Sequence, residues 1–187
     1  MMMLTAPCAI GAEKVLSNEL KQLGFVPETI ASGNAPVGRV SFAPSIEEQA
    51  LGDAGFFVAA YRANLCLRTA DRVYARLGRF PATDFEALFE GAKAIRWQDW
   101  FRKDVRVVVD KVRTHASKLS SEHSVQGVVH KAIYESLGAA WKMSTLPESG
   151  EEATVRVYVE RDEASILLDL SGMPLHRRGY RTAGGEA

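Results

Sequence analysis

Cysteine is scarce: the 187-residue chain has two, at positions 8 and 66, too few and too far apart for a disulfide framework or a thiolate metal site. Both stand among apolar neighbours, which reads as buried, reduced thiols in a cytoplasmic setting. Net charge is missing as well. Twenty-three basic side chains balance 23 acidic ones, so nothing global attracts a polyanion or an anionic membrane. No run approaches the ~20 apolar residues of a membrane span. Met1 to Ile10 lacks the basic start and apolar core of a signal peptide. There is no Gly-x-Gly-x-x-Gly, no P-loop and no Gly-x-Ser-x-Gly elbow. His115, His123, His130 and His176 form no metal-binding pair, and Asp99, Asp104 and Asp110 suggest no coupled acid and base. On these absences no catalytic residue and no metal ligand are expected in this chain. What is present, 47% hydrophobic and 25% charged, is the composition of a globular protein able to bury a core in one domain or two small ones.

The first ~80 residues predict six alternating elements. Leu4 to Ile10 reads as a strand. Ala12, Val15, Leu16, Glu19, Leu20 and Leu23 fall at helical spacing, and Gly24 stands where a helix-ending glycine belongs. Phe25 to Ala31 and Val37 to Phe42 read as two strands joined by a turn through Ser32 to Pro36. Gly52 to Leu67 carries a second stripe through Phe56, Phe57, Ala60, Tyr61, Asn64 and Leu65, and Arg72 to Phe80 a last strand. The order strand-helix-strand-strand-helix-strand is that of a ferredoxin-like βαββαβ sandwich, assigned to residues 1–82.

A second α/β unit, residues 83–171, opens with Thr83-x-x-Glu86 as a capping box for a short helix through Phe85, Leu88, Phe89 and Ala92. An aromatic cluster at Trp97, Trp100 and Phe101 precedes a β-rich run from Val105 to Val112. Val125, Val128, Val129, Ala132, Ile133, Ser136 and Leu137 then give the cleanest helical stripe in the chain, opposite a polar face of His123, Gln126, His130, Lys131 and Tyr134. Ala153 to Arg161 and Ala164 to Leu170 read as a hairpin turning at Asp162-Glu163. Residues 172–187 read as a basic connector, at the end of which the chain looks cut rather than finished.

Charge placement says more than the total. From Arg102 to Lys131 there are seven basic residues against three acids, and Arg177, Arg178 and Arg181 follow later with no acid among them. The compensating acids lie elsewhere, at Glu148, Glu151, Glu152, Glu160, Asp162 and Glu163. Ser117, Ser120, Ser121 and Ser124 surround the start of the best helix, whose free N–H groups and positive dipole end attract anions. With Arg113, Lys118 and Lys131 nearby, the segment reads as a phosphate-binding surface. The competing reading is a serine-capped surface helix with solvated lysines. Phe56, Phe57, Phe85, Phe89, Trp97 and Trp100 fall on apolar stripes and read as core rather than as a base-stacking platform. Tyr180, among arginines, is the exception: it either stacks on a base or packs against a neighbouring domain.

Three stretches carry a family resemblance: Tyr61-Arg-Ala-Asn-Leu-Cys-Leu-Arg-Thr-Ala-Asp-Arg-Val73; Ser117-Lys-Leu119 leading into Gln126-Gly-Val-Val-His-Lys-Ala-Ile133; and Leu167-Leu-Asp-Leu-Ser-Gly172 with Leu175-His-Arg-Arg-Gly-Tyr-Arg181. Together they resemble the N-terminal half of bacterial THUMP-containing, S-adenosylmethionine-dependent 23S rRNA guanine-N2-methyltransferases. The resemblance implies a ferredoxin-like domain and a THUMP domain that bind structured rRNA and position it for a methyltransferase domain, expected beyond Ala187. No cofactor is expected in this chain; S-adenosylmethionine would be held by that following domain, which is also an expected partner. The motif match implies Ser117, Lys118, Gln126 and Lys131 as RNA contacts, beside Arg113, Ser120 and Ser121 from the charge reading. His176, Arg177, Arg178, Tyr180 and Arg181 match the join to the catalytic domain and contact either that domain or RNA. Two other readings stay open: a ferredoxin-like module binding a protein or small ligand, and a THUMP module serving another RNA modification such as thiouridine synthesis or deamination.

Overall fold

The computed structural model describes residues 2–29 and 36–177. It divides into two compact units, Met1–Ala75 with Asp169–Ala187, and Arg76–Leu168.

In the first unit β1 (Met3–Pro7) leads into α1 (Glu13–Gln22), β2 (Val26–Pro27) and β3 (Arg39–Ala43). A short α2 (Ile46–Gln49), α3 (Gly52–Cys66) and the start of β4 (Tyr74–Pro81) follow. The strand order β2-β3-β1-β4 is that of the expected βαββαβ sandwich. β1 runs antiparallel to β3 with Leu4 opposite Phe42 and Thr5 opposite Ser41, whose hydroxyls bond at 2.9 Å in the interior. Leu4, Leu16, Leu20 and Phe42 are fully buried, and the Phe25 and Phe42 rings lie 5.1 Å apart. Gly24 ends α1 in the left-handed region, φ +81°, as its position predicts.

Several local expectations shift. β1 stops at Pro7, and β2 covers only two residues; the expected turn through Ser32 to Pro36 falls, up to Ala35, outside the described residues. Val15 is exposed, since α1 buries only Leu16 and Leu20. α2 was not expected, although Ser45 and Glu48 form a full capping box at its start. Cys66 is exposed rather than buried. Cys8 is buried, and burial, with the charges of Glu13 and Asp71, pushes its thiol up to about 11.

The second unit continues β4 into α4 (Phe85–Lys93), a 3-10 turn (Trp97–Asp99), β5 (Arg106–His115), α5 (Glu122–Trp141), β6 (Glu152–Glu160) and β7 (Glu163–Asp169). β6 lies between β5, which it pairs in parallel, and β7, which it pairs antiparallel. Trp97 is fully buried, donates Nε1–H to the Ala92 carbonyl at 2.8 Å and stacks on Phe101. The N-cap of α4 is Asp84, one residue later than the expected Thr83: its carboxylate accepts Ala87 N–H at 2.8 Å, while Thr83 donates to it. The hairpin turns at Arg161-Asp162, both left-handed, with Glu163 already paired to Glu160.

Candidate nucleic-acid interface

The strand expected to end at Val112 continues as β5 to His115. Ala116 then takes a left-handed φ of 48°, and the chain turns through Ser117 to Ser121 into α5. This short loop is held by the hairpin turn between β6 and β7. Asp162 Oδ1 accepts both the Ser117 hydroxyl at 2.9 Å and the Lys118 amide at 2.8 Å, and Ser117 Oγ in turn accepts the Leu119 amide at 3.1 Å. Those two donors and the Lys118 charge hold the Asp162 carboxyl below the usual aspartate range. Leu119 is buried and anchors the loop from beneath, while Lys118 is exposed.

The serines have separate tasks. Ser121 is the N-cap of α5, accepting Ser124 N–H at 3.3 Å and sharing a 2.9 Å hydroxyl contact with Ser124. Ser120 accepts the Thr114 hydroxyl at its carbonyl, and Ser117 braces the turn.

The remaining candidates part company on the helix. Five positions separate Gln126 from Lys131, so they face different ways. Gln126 Nε2 donates to the Val109 carbonyl at 2.6 Å, toward β5. Lys131 lies 3.8 Å from Glu135, with Nζ 5.6 Å from the Phe89 ring of α4. Arg113 pairs with Glu122 at 2.9 Å. His176 and Arg177 are exposed in a 3-10 turn (Leu175–Arg177) of the first unit. Arg178, Tyr180 and Arg181 lie outside the described residues.

The charge segregation read along the sequence is reduced in the fold. Parallel pairing sets Arg106 opposite Glu152 at 2.8 Å, brings Glu151 within 3.6 Å of Arg102, and places Arg156 3.4 Å from Asp110. Two of the acids assigned elsewhere, Glu151 and Glu152, are therefore partners of the basic run. Lys118 is exposed at the loop, and its charge acts on Asp162 and Asp84.

A groove of about 540 Å³ was not anticipated. Val107, Val108 and Val109 of β5 form one side; His123, Gln126, Gly127, His130 and Tyr134 of α5 form the other. Gly127 leaves open space where a side chain would stand. The His130 and Tyr134 rings are 4.3 Å apart, and partial burial pushes the His130 imidazole below the usual histidine range. The polar face of α5 and the β-rich run were both legible in sequence; the packing of one against the other was not. Among the described residues no cluster of histidine, cysteine, aspartate or glutamate could hold a metal ion, and no helix is long and apolar enough to cross a membrane.

With this architecture in view, two family models match the chain: the RlmL ferredoxin-like domain at residues 3–50 and the THUMP domain at 82–169. The protein thus combines a ferredoxin-like domain with a THUMP domain, the pair its order of elements describes. The relatives it matches are named as RNA methyltransferases. It is 35% identical over 186 residues to the Bacillus subtilis protein named "Putative RNA methyltransferase YpsC", covering 98% of this chain and 44% of that one. A ribosomal RNA large subunit methyltransferase K/L of Pseudomonas savastanoi is 35% identical over 129 residues, 68% of this chain and 17% of its own length. Among solved structures, a Listeria monocytogenes protein described as a predicted N6-adenine-specific DNA methylase superposes with TM-score 0.82 and 34% identity. It matches 100% of this chain and 45% of its own. A "putative methyltransferase complexed with SAH" superposes with TM-score 0.77 at 34% identity over 97% of this chain and 45% of its own. The chain therefore spans less than half the length of these relatives.

Proposed function

We propose that this chain is the RNA-binding, substrate-positioning part of a 23S rRNA guanine-N2-methyltransferase acting in the cytoplasm, with S-adenosylmethionine used by the rest of the enzyme. The observation that carries the reading is the braced loop before α5. Asp162 fixes the backbone from Ser117 to Leu119, so exposed Lys118 and the first turn of α5 are presented to a phosphate without a further ordering cost. Lys131 extends the contact along the helix, while Arg113, Ser120 and Ser121 shape its start. His176 and Arg177, with Arg178, Tyr180 and Arg181, serve the join to the catalytic domain or reach RNA from it. The THUMP match and the ribosomal RNA methyltransferase relatives support RNA as the partner. Neutral net charge and the ion pairs around β5 mean few phosphates are neutralised, so binding is local and recognises shape more than sequence.

Filter binding to a structured 23S rRNA hairpin across a salt series tests this. Affinity should fall linearly on a log–log plot, since phosphate contacts release counterions. Lys118→Glu combined with Lys131→Glu should weaken binding about tenfold or more and lower the salt slope by about two, with an unchanged melting curve. Salt-independent binding, or a double variant as tight as the parent, overturns the assignment.

A further inference from the structure

α3 is apolar on nearly every side. Gly55, Phe56, Ala59, Ala60 and Ala63 are buried, yet Phe57, Val58, Tyr61 and Leu65 are 54, 51, 75 and 62% exposed. A helix of that composition is ordinarily enclosed all round, and contiguous exposed apolar surface marks a contact site. Phe57, Tyr61 and Leu65, spaced four apart, form one wall of a groove of about 570 Å³. The other wall is the segment after β7, where Leu170, Met173 and Leu175 face it, Met173 being 67% exposed.

That second wall is fixed in place. Arg72 Nη1 donates to the Asp169 carboxylate and to the Gly172 carbonyl, both at 2.6 Å. Ser171 Oγ donates to Asn64 Oδ1 at 2.7 Å and accepts Val73 N–H at 2.7 Å, and the Leu175 amide donates to the Asp71 carbonyl at 2.8 Å. A segment that served only as a tether would need none of these bonds.

We infer that this groove is the seat on which an apolar patch of the methyltransferase half docks, an inference that rests on the function proposed above. The relatives that share this chain's two domains are more than twice its length and are named methyltransferases, so a second body of comparable size accompanies the same pair of domains. Among the described residues no basic side chain lines the groove, which favours an apolar occupant over a phosphate chain. A catalytic half joined at the segment that forms the wall, as the proposed function has it, would be held beside the groove at high effective concentration, so that a small apolar contact would suffice to fix its orientation.

Hydroxyl-radical footprinting read by mass spectrometry tests the assignment on two proteins: this chain alone, and the Bacillus subtilis relative with its matched region replaced by this chain. In the chain alone Tyr61 and Met173 should oxidise freely. In the chimera both should oxidise about fivefold more slowly or less, while the exposed Ile10 and Ile46 keep their rates. Tyr61→Ser with Leu65→Ser should restore fast oxidation of Met173 in the chimera without lowering the melting temperature of the chain alone. Equal rates in both proteins overturn the inference. So does protection in the chain alone that vanishes on dilution, which would assign the groove to a second copy, or protection that needs added rRNA. Should Tyr61 and Met173 be protected while the chain fails to bind rRNA, the docking assignment stands and the RNA reading falls.

Discussion

The two long helices meet the same demand in opposite ways. α5 buries Val125, Val129, Ala132, Ile133 and Leu137 completely and turns His123, His130, Lys131 and Glu135 outward. α3 turns its small residues inward and leaves Phe57, Tyr61 and Leu65 outside. A Cβ on Gly55 would stand 1.7 Å from the Glu48 carbonyl oxygen, so α3 approaches α2 too closely for any side chain there. Close approach to α2 requires glycine at position 55 of the inner face, which also buries Phe56. The lesson is that hydrophobic periodicity orients a helix only when one face is polar.

The sharpest way to break this comparison is to cut equivalent bulk from each helix. Ile133→Ala should lower unfolding free energy by about 2–5 kcal/mol in a urea titration followed by circular dichroism, since it opens a cavity in a sealed core. Tyr61→Ser in this chain should change it by no more than about 0.5 kcal/mol, as expected for an exposed position. A large loss at Tyr61 would mean that α3 is packed on its outer face within this chain.

Ion pairs divide along the same line. In the first unit the nearly buried Glu48 carboxylate accepts two 2.9 Å bonds from Arg62. Burial pushes this carboxyl up, but the Arg62 bonds together with Ser45 outweigh it and leave Glu48 below the usual glutamate range. Its stabilisation is complete above the unfolded value of about 4.3 and is lost as pH falls through the lower folded value. Glu48→Gln should cost about 1–3 kcal/mol at neutral pH and flatten the acid limb of the stability curve. Arg113→Gln, which breaks a pair more than two-fifths exposed on both sides, should cost at most about 1 kcal/mol at any pH. Paired urea titrations at pH 7 and pH 3.5 decide between them.

Much of this architecture is legible in the residues. The alternation of apolar stripes gives the βαββαβ order, and Gly24 marks the end of α1 as its φ requires. α2 was legible too, through Ser45-x-x-Glu48, but four residues carry no periodicity to draw the eye. The outward face of α3 was not, because nothing local distinguishes Phe56, which is buried, from Phe57, which is not. Nor was charge pairing, since the parallel register that sets Arg106 against Glu152 joins residues 46 apart. In the fold the serines read as a phosphate site brace and cap the loop, and Gln126 donates to the Val109 carbonyl.

The smallest expected effect concerns that loop. One carboxylate on a distant hairpin makes both bonds to Ser117 and Lys118, whereas the corresponding wall in the first unit, Leu170 to Leu175, is held through several different residues. Asp162 sits at a left-handed φ of 60°, so Asp162→Gly preserves the turn while removing the acceptor. Amide exchange at Lys118 and Leu119 should then quicken about tenfold, with the global unfolding midpoint nearly unmoved. Asp162→Asn, which keeps an acceptor oxygen and tolerates the left-handed region, should retain most of the protection. With its carboxyl held low, Asp162 in the parent should keep the loop closed well below the unfolded aspartate value of about 3.9, releasing it only as pH falls through the folded value. If rRNA affinity drops a few-fold in the glycine variant, with no basic residue altered, the preset loop contributes to binding beyond the charge of Lys118; if affinity is unchanged, Lys118 acts as a simple point charge and the bracing serves the fold alone.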